Sequence, residues 1–143
     1  MSTPTMKLRT YLNFPGTCRE AFSFYEQHLG GKIVMMMTHG QNPQSGILGR
    51  DWRDAILHAR IDIGDTMLLG ADIPNAEPLR SAYLTLFPGS VEEAERIYKV
   101  LSSGGQALMP MEETFFAFRF GQARDKFGIS WMILHERPMP LNS

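Results

Sequence analysis

The amino-acid sequence predicts an α+β fold made of two βαβββ modules, and three observations carry that prediction. First, residues 14–25 read FPGTCREAFSFY and residues 87–98 read FPGSVEEAERIY, an offset of 87 − 14 = 73 positions. Self-similarity of this extent marks a repeated supersecondary unit. Second, both copies carry matching helix start and stop signals. Third, short apolar or alternating runs bounded by turn residues surround each helix, which is the signature of strands.

Taken in order, residues 7–14 alternate, with Leu8, Leu12 and Phe14 on one side and Lys7, Arg9, Tyr11 and Asn13 on the other. A helix over about 17–29 follows. Thr17 and Glu20 have the spacing of a capping box, in which the hydroxyl accepts the N3 amide and the glutamate reaches back. Cys18, Ala21, Phe22, Tyr25 and Leu29 fall on one helical face, and the Gly30–Gly31 pair supplies the stop. Residues 33–38 form a short apolar strand, in which Met35, Met36 and Met37 read as core filling rather than a copper motif. Residues 39–53 form a loop rich in Gly, Gln, Asn and Ser, either a lid or a surface excursion.

Residues 55–64 set Leu57, Ala59, Ile61 and Ile63 against Ile56, His58, Arg60 and Asp62, and a Gly64–Asp65 turn leads into a strand over 66–71. Residues 72–80, DIPNAEPLR, read as a linker between module one (about 6–72) and module two (about 81–136) of a single domain. The second module repeats the order: strand 82–87, helix 90–103 with Ser90 and Glu93 as its capping box, then strands 106–109, 114–120 and 129–134.

Composition excludes several functions. Formal net charge is −1, which gives no electrostatic case for nucleic acid or an anionic membrane surface. The longest apolar runs, residues 33–37 for example, fall far short of a membrane span. The start of the chain lacks an apolar signal core, and the lone Cys18 suits a reducing cytoplasm. Cys18 begins a helix, where the dipole could activate it, yet it lies on the apolar stripe and reads as buried and inert. Trp131 reads as packing rather than ligand stacking, and residues 125–128 as a turn.

Three segments carry a family resemblance: Tyr11 to Tyr25 (Y-L-x-F-x-G-x-x-x-E-A-x-x-F-Y), E-T-F-F-A at Glu113 to Ala117, and D-K-F-G-x-x-W-M-I at Asp125 to Ile133. With the paired modules, they resemble the vicinal oxygen chelate superfamily of glyoxalase I, extradiol dioxygenases and bleomycin-binding proteins, and within it the PhnB-like branch. Automatic labels in that branch name a demethylubiquinone methyltransferase, but no Gly-rich nucleotide loop follows a first strand here. The resemblance implies a glyoxalase-like cup or half-barrel pair with a pocket between the modules. It also implies a homodimer whose edge strands are covered by pairing.

Catalytic members of the superfamily hold a divalent metal with His, Gln or Glu. Transferred by motif, those positions fall on Arg9 or Thr10, on Tyr83 and on Met132, none of which suits such a metal. The expectation is therefore no standard metal site and no cofactor. Should a non-standard site exist, His58 with Glu113 is the pair to test. If the apolar strand residues lie beneath the helices, then Arg9, Tyr11, Asn13, His58, Arg60, Asp62, Tyr83 and Thr85 point inward, with Phe115 or Phe116 and Arg119. That set suits a small-molecule ligand. Arg9, Arg60 and Arg119 could bind an anionic group through forked hydrogen bonds, or simply reach water.

The sequence thus points to a small-molecule-binding protein. Two rivals are a divalent-metal-dependent enzyme (lyase, isomerase, transferase or dioxygenase) and a drug-sequestering resistance protein.

Overall fold

The computed structural model describes residues 6–41, 52–79 and 81–138. The chain divides into two compact units, Met1–Glu77 and Pro78–Ser143. Unit one contains β1 (Thr10–Phe14), α1 (Cys18–His28), β2 (Lys32–Thr38), β3 (Ile56–Ile63) and β4 (Thr66–Asp72). Its sheet runs β1-β4-β3-β2, with β1 parallel to β4 and the other pairs antiparallel. Unit two repeats the plan with β5 (Leu84–Leu86), α2 (Val91–Ser102), β6 (Gln106–Glu112), β7 (Ala117–Arg124) and β8 (Ser130–Glu136). Its order is β5-β8-β7-β6, with β5 parallel to β8. The fold is α+β, two βαβββ modules, as the repeat implied.

In unit one, α1 lies against one face of the sheet. Cys18, Ala21, Phe22 and Tyr25 are buried there with Leu12, Phe14, Ala59, Ile61 and Leu68. Burying side chains of the Phe, Leu and Ile class stabilises the fold by about 1.5–3 kcal/mol each. Gly70 permits this contact, because a Cβ there would sit 2.7 Å from the Phe22 ring. Unit two buries Ala94, Ile97 and Leu101 of α2 with Ala123, Trp131 and Ile133. Both helices stop where the glycine pairs placed the end: Gly30 and Gly104 have φ of 70° and 75°, a left-handed conformation that glycine adopts without strain.

The two helix starts differ. Ser90 Oγ accepts the Glu93 amide at 3.1 Å, as a capping box requires, although the Glu93 carboxylate turns to Arg96 instead of reaching back. Thr17 makes no side-chain cap. Asp72 replaces it: Oδ1 accepts the amides of Gly16 at 3.1 Å and Cys18 at 2.9 Å, while Oδ2 accepts the Ile56 amide at 2.8 Å. Residue 72 is therefore the buried end of β4 and not the start of a linker.

Other strand expectations also shift. Leu8 precedes β1 and is exposed, so it does not lie beneath the helix. At the start of β3 it is Ile56, not Leu57, that is fully buried, next to a register shift at Thr38. The strand expected over 114–120 begins at Ala117, because Thr114 closes a turn: its amide donates to Ala117 O and its hydroxyl accepts the Phe116 and Ala117 amides. The identical residues Phe14 and Phe87 have different environments, Phe14 being buried and Phe87 60% exposed. The strand repeat, Tyr11 to Tyr83, is offset by 83 − 11 = 72, so Leu86 occupies the place of Phe14 and Phe87 is the extra residue.

The methionine run is not core. β2 is an edge strand, and Val34, Met35 and Met37 are 44%, 38% and 39% exposed. Residues 42–51 of the proposed lid lie outside the described residues. The neck of that loop is closed by the His39 amide to Ala55 O and the Gly40 amide to Arg53 O, each at 2.8 Å.

The D-K-F-G-x-x-W segment is a staple. Asp125 Oδ1 accepts the Phe127 and Ile129 amides, and Oδ2 accepts the indole N–H of the buried Trp131 at 2.8 Å. Trp131 is packing, as expected.

Candidate functional site

The strand register fixes which side chains share the face of the unit-one sheet away from α1. Tyr11, Leu69, Arg60 and Met35 are successive partners across all four strands. His58 pairs with Met37, Asp62 with Met67 and Asn13 with Ala71. Alternation along β1, β3 and β4 therefore gathers Tyr11, Asn13, His58, Arg60 and Asp62 on one face, as the periodicity of those strands requires.

Two groupings form there. Tyr11 Oη and His58 Nδ1 lie 3.3 Å apart, with their rings stacked at 5.8 Å and 26°. Burial, and secondly the nearby Cys18, raise the Tyr11 pKa above its ordinary value, so the phenol keeps its proton at neutral pH. The second grouping is a recess of about 240 Å³ at the β3–β4 hairpin, lined by Arg9, Arg60, Asp62, Asp65, Thr66 and Met67, together with Gly64. Arg60 Nε lies 3.3 Å from Asp62 Oδ1, a pair with 42% of each side chain exposed. Such an exposed pair holds by less than about 1 kcal/mol, so an incoming anion can displace it. Arg9 donates to the Leu8 carbonyl at 3.2 Å.

The remaining candidates belong to unit two. Arg119 turns towards α2, where Nε donates to Glu95 Oε1 at 3.0 Å. Glu113 pairs with Arg137 at 2.9 Å, and Arg137 also donates to Thr114 O and lies 4.8 Å from the Phe118 ring. Phe115 is 83% exposed at the turn this pins, beside Phe116. Tyr83 is half-buried just before β5. His58 and Glu113 thus lie in separate units, each with its own partner. Among the described residues, no group of three or more His, Cys, Asp or Glu side chains could hold a metal ion.

Sequence reasoning missed Asp65, the second acid of the recess, because a turn Gly-Asp reads as turn chemistry alone. It also missed that Met35 and Met37 share the open face with His58. Their i, i+2 spacing is the available signal, but the unbroken apolar run around them reads as core.

Residues 10–133 match the Glyoxalase/Bleomycin resistance protein/Dioxygenase superfamily, and the chain belongs to that family. Among its relatives is Protein YjdN of Escherichia coli, 33% identical over 138 residues, covering 90% of this chain and 94% of that protein. The fold matches protein PA1353 from Pseudomonas aeruginosa with a TM-score of 0.84 and 39% identity, covering 94% of this chain and all of that one. It also matches a Bacillus cereus protein described as "Putative 3-demethylubiquinone-9 3-methyltransferase, PhnB protein", with a TM-score of 0.77 and 24% identity over 91% of this chain and 99% of that one. No described helix is long and apolar enough to cross a membrane.

Proposed function

We propose that this chain is a PhnB-like small-molecule-binding protein that works without the standard metal site of its superfamily. Its ligand carries an anionic group. The observation supporting this reading is that Arg9 and Arg60, far apart in sequence, line one recess on the open face of unit one. A carboxylate or phosphonate there exchanges the weak Arg60–Asp62 contact for forked hydrogen bonds to guanidinium groups. Asp62 and Asp65 line the same recess and balance the two arginines, which favours a ligand with a positive or hydrogen-bond-donating group near its anionic end.

Tyr11 and His58 supply an aromatic wall beside the recess, with Asn13 on the same face. Tyr83, Glu113, Phe115 and Arg119, expected in the same set, belong to unit two, where Arg119 is paired with Glu95 and Glu113 with Arg137. The protein acts in the cytoplasm as a homodimer in which edge strands are covered by pairing. Nucleic acid and membrane are not partners.

Calorimetric titration with methylphosphonate and with succinate tests the site. Arg60→Ala is expected to weaken binding of whichever anion is accepted by at least about tenfold, the equivalent of one lost charge-assisted hydrogen bond. Unchanged affinity in Arg60→Ala and Arg9→Ala would place the ligand elsewhere.

A further inference from the structure

The exposed methionines of β2 have a chemistry that the anion-binding reading does not use. Met35 and Met37 stand two residues apart on an edge strand, in a stretch whose register with β3 is regular. Their thioethers therefore share a face, with Cα atoms about 7 Å apart. Met36 confirms the alternation: its sulfur accepts from Arg19 Nη1 of α1 at 3.7 Å, on the helix side. On the open side, Met37 faces His58 as its cross-strand partner, at a Cβ separation of about 5 Å. Met35 is diagonal to His58 and directly opposite Arg60, whose guanidinium is turned to Asp62.

Three soft or borderline donors, two thioether sulfurs and one imidazole nitrogen, thus project from adjacent strands. The methionine side chains are long and flexible enough to close on a common point. His58 is oriented for the task. In the tautomer whose Nδ1–H donates to Tyr11 Oη, the ring presents the Nε2 lone pair to a metal, and Nε2 makes no hydrogen bond among the described residues. Hard divalent ions find no oxygen donors among Met35, Met37 and His58. Thioether and imidazole ligands select a soft monovalent ion.

We propose that Met35, Met37 and His58 form a binding site for Cu(I), with Tyr11 as the residue that orients the imidazole. The ion binds as Cu(I) and leaves as Cu(I), so no electron transfer is involved. This site shares Tyr11 and His58 with the aromatic wall beside the recess but uses neither Arg9 nor Arg60.

The test uses Ag(I), a redox-inert mimic of Cu(I), added to the full-length protein carrying methyl-labelled methionine. The methyl resonances of Met35 and Met37 are expected to shift together, saturating at a single ion per chain, while Met109, equally exposed on β6, stays still. Competition with a Cu(I)-specific chelator then gives the affinity. The double variant Met35→Leu/Met37→Leu, close in volume to the parent, is expected to lose binding, and Tyr11→Phe to weaken it about tenfold. Cys18→Ala is expected to retain it, since that thiol is buried. Parallel shifts of Met109, no saturable response, or undiminished affinity in the folded double variant would each overturn the proposal. Should the leucine variant fail to fold, the resonances of the parent protein decide by themselves.

Discussion

Asp72, at the end of β4, is one carboxylate that ties down two other parts of unit one. It receives the start of α1 through Gly16 and Cys18 and the start of β3 through Ile56, and the Cys18 and Ile56 bonds are buried. Replacing it with alanine leaves the buried Cys18 and Ile56 amides without an acceptor, at about 1–3 kcal/mol per buried group. Asp72→Ala is therefore expected to destabilise the protein by about 3 kcal/mol in urea unfolding, and a loss below about 1 kcal/mol would contradict the capping role. The same carboxylate acts on Cys18. Burial first, and the Asp72 charge second, push that thiol from 9.0 up to about 12. A raised folded-state value favours the protonated form. Its contribution to stability is thus full below about 9, where the unfolded thiol titrates, and is lost as pH climbs towards 12. Native protein at neutral pH is expected to resist thiol reagents until denatured, and rapid modification without denaturant would contradict this burial.

At the scale of elements, the helices and strand order were legible because their signals are local. Periodicity, hydroxyl–glutamate spacing and glycine pairs each act within a few residues. What stayed hidden is what long-range partners decide. Thr17 has the same local signal as Ser90 but makes no cap: its backbone (φ −111°, ψ 15°) is not the extended one of Ser90 (φ −153°, ψ 163°), and Asp72 holds the Gly16 and Cys18 amides beside it. Ser90→Ala is therefore expected to cost about 1 kcal/mol and Thr17→Ala almost nothing, by thermal unfolding of each variant. Equal losses would show that Thr17 caps after all. Likewise, the apolar run at β2 looked like core because hydrophobicity does not reveal that a strand lies at the edge of its sheet. Phe87 matched Phe14 in sequence, yet a one-residue slip between strand and helix moved it to the surface.

For the molecule as a whole, the repeat and three short motifs were enough to predict both modules and the superfamily. They were not enough to say which side chains meet. Arg9 and Arg60 converge through the β1-β4-β3 register, which no spacing in the chain encodes. Arg119, an equal candidate by composition, is instead held by Glu95 of α2. In the proposed function, the open face of unit one receives an anionic ligand through two arginines. NMR of the arginine Nε–H groups, recorded as methylphosphonate or succinate is added, tests it most directly. The expected result is that the Arg9 and Arg60 signals move together while Arg119 and Arg96, each already bound to a glutamate, do not. Movement of Arg119 with Arg9 and Arg60 stationary would contradict it.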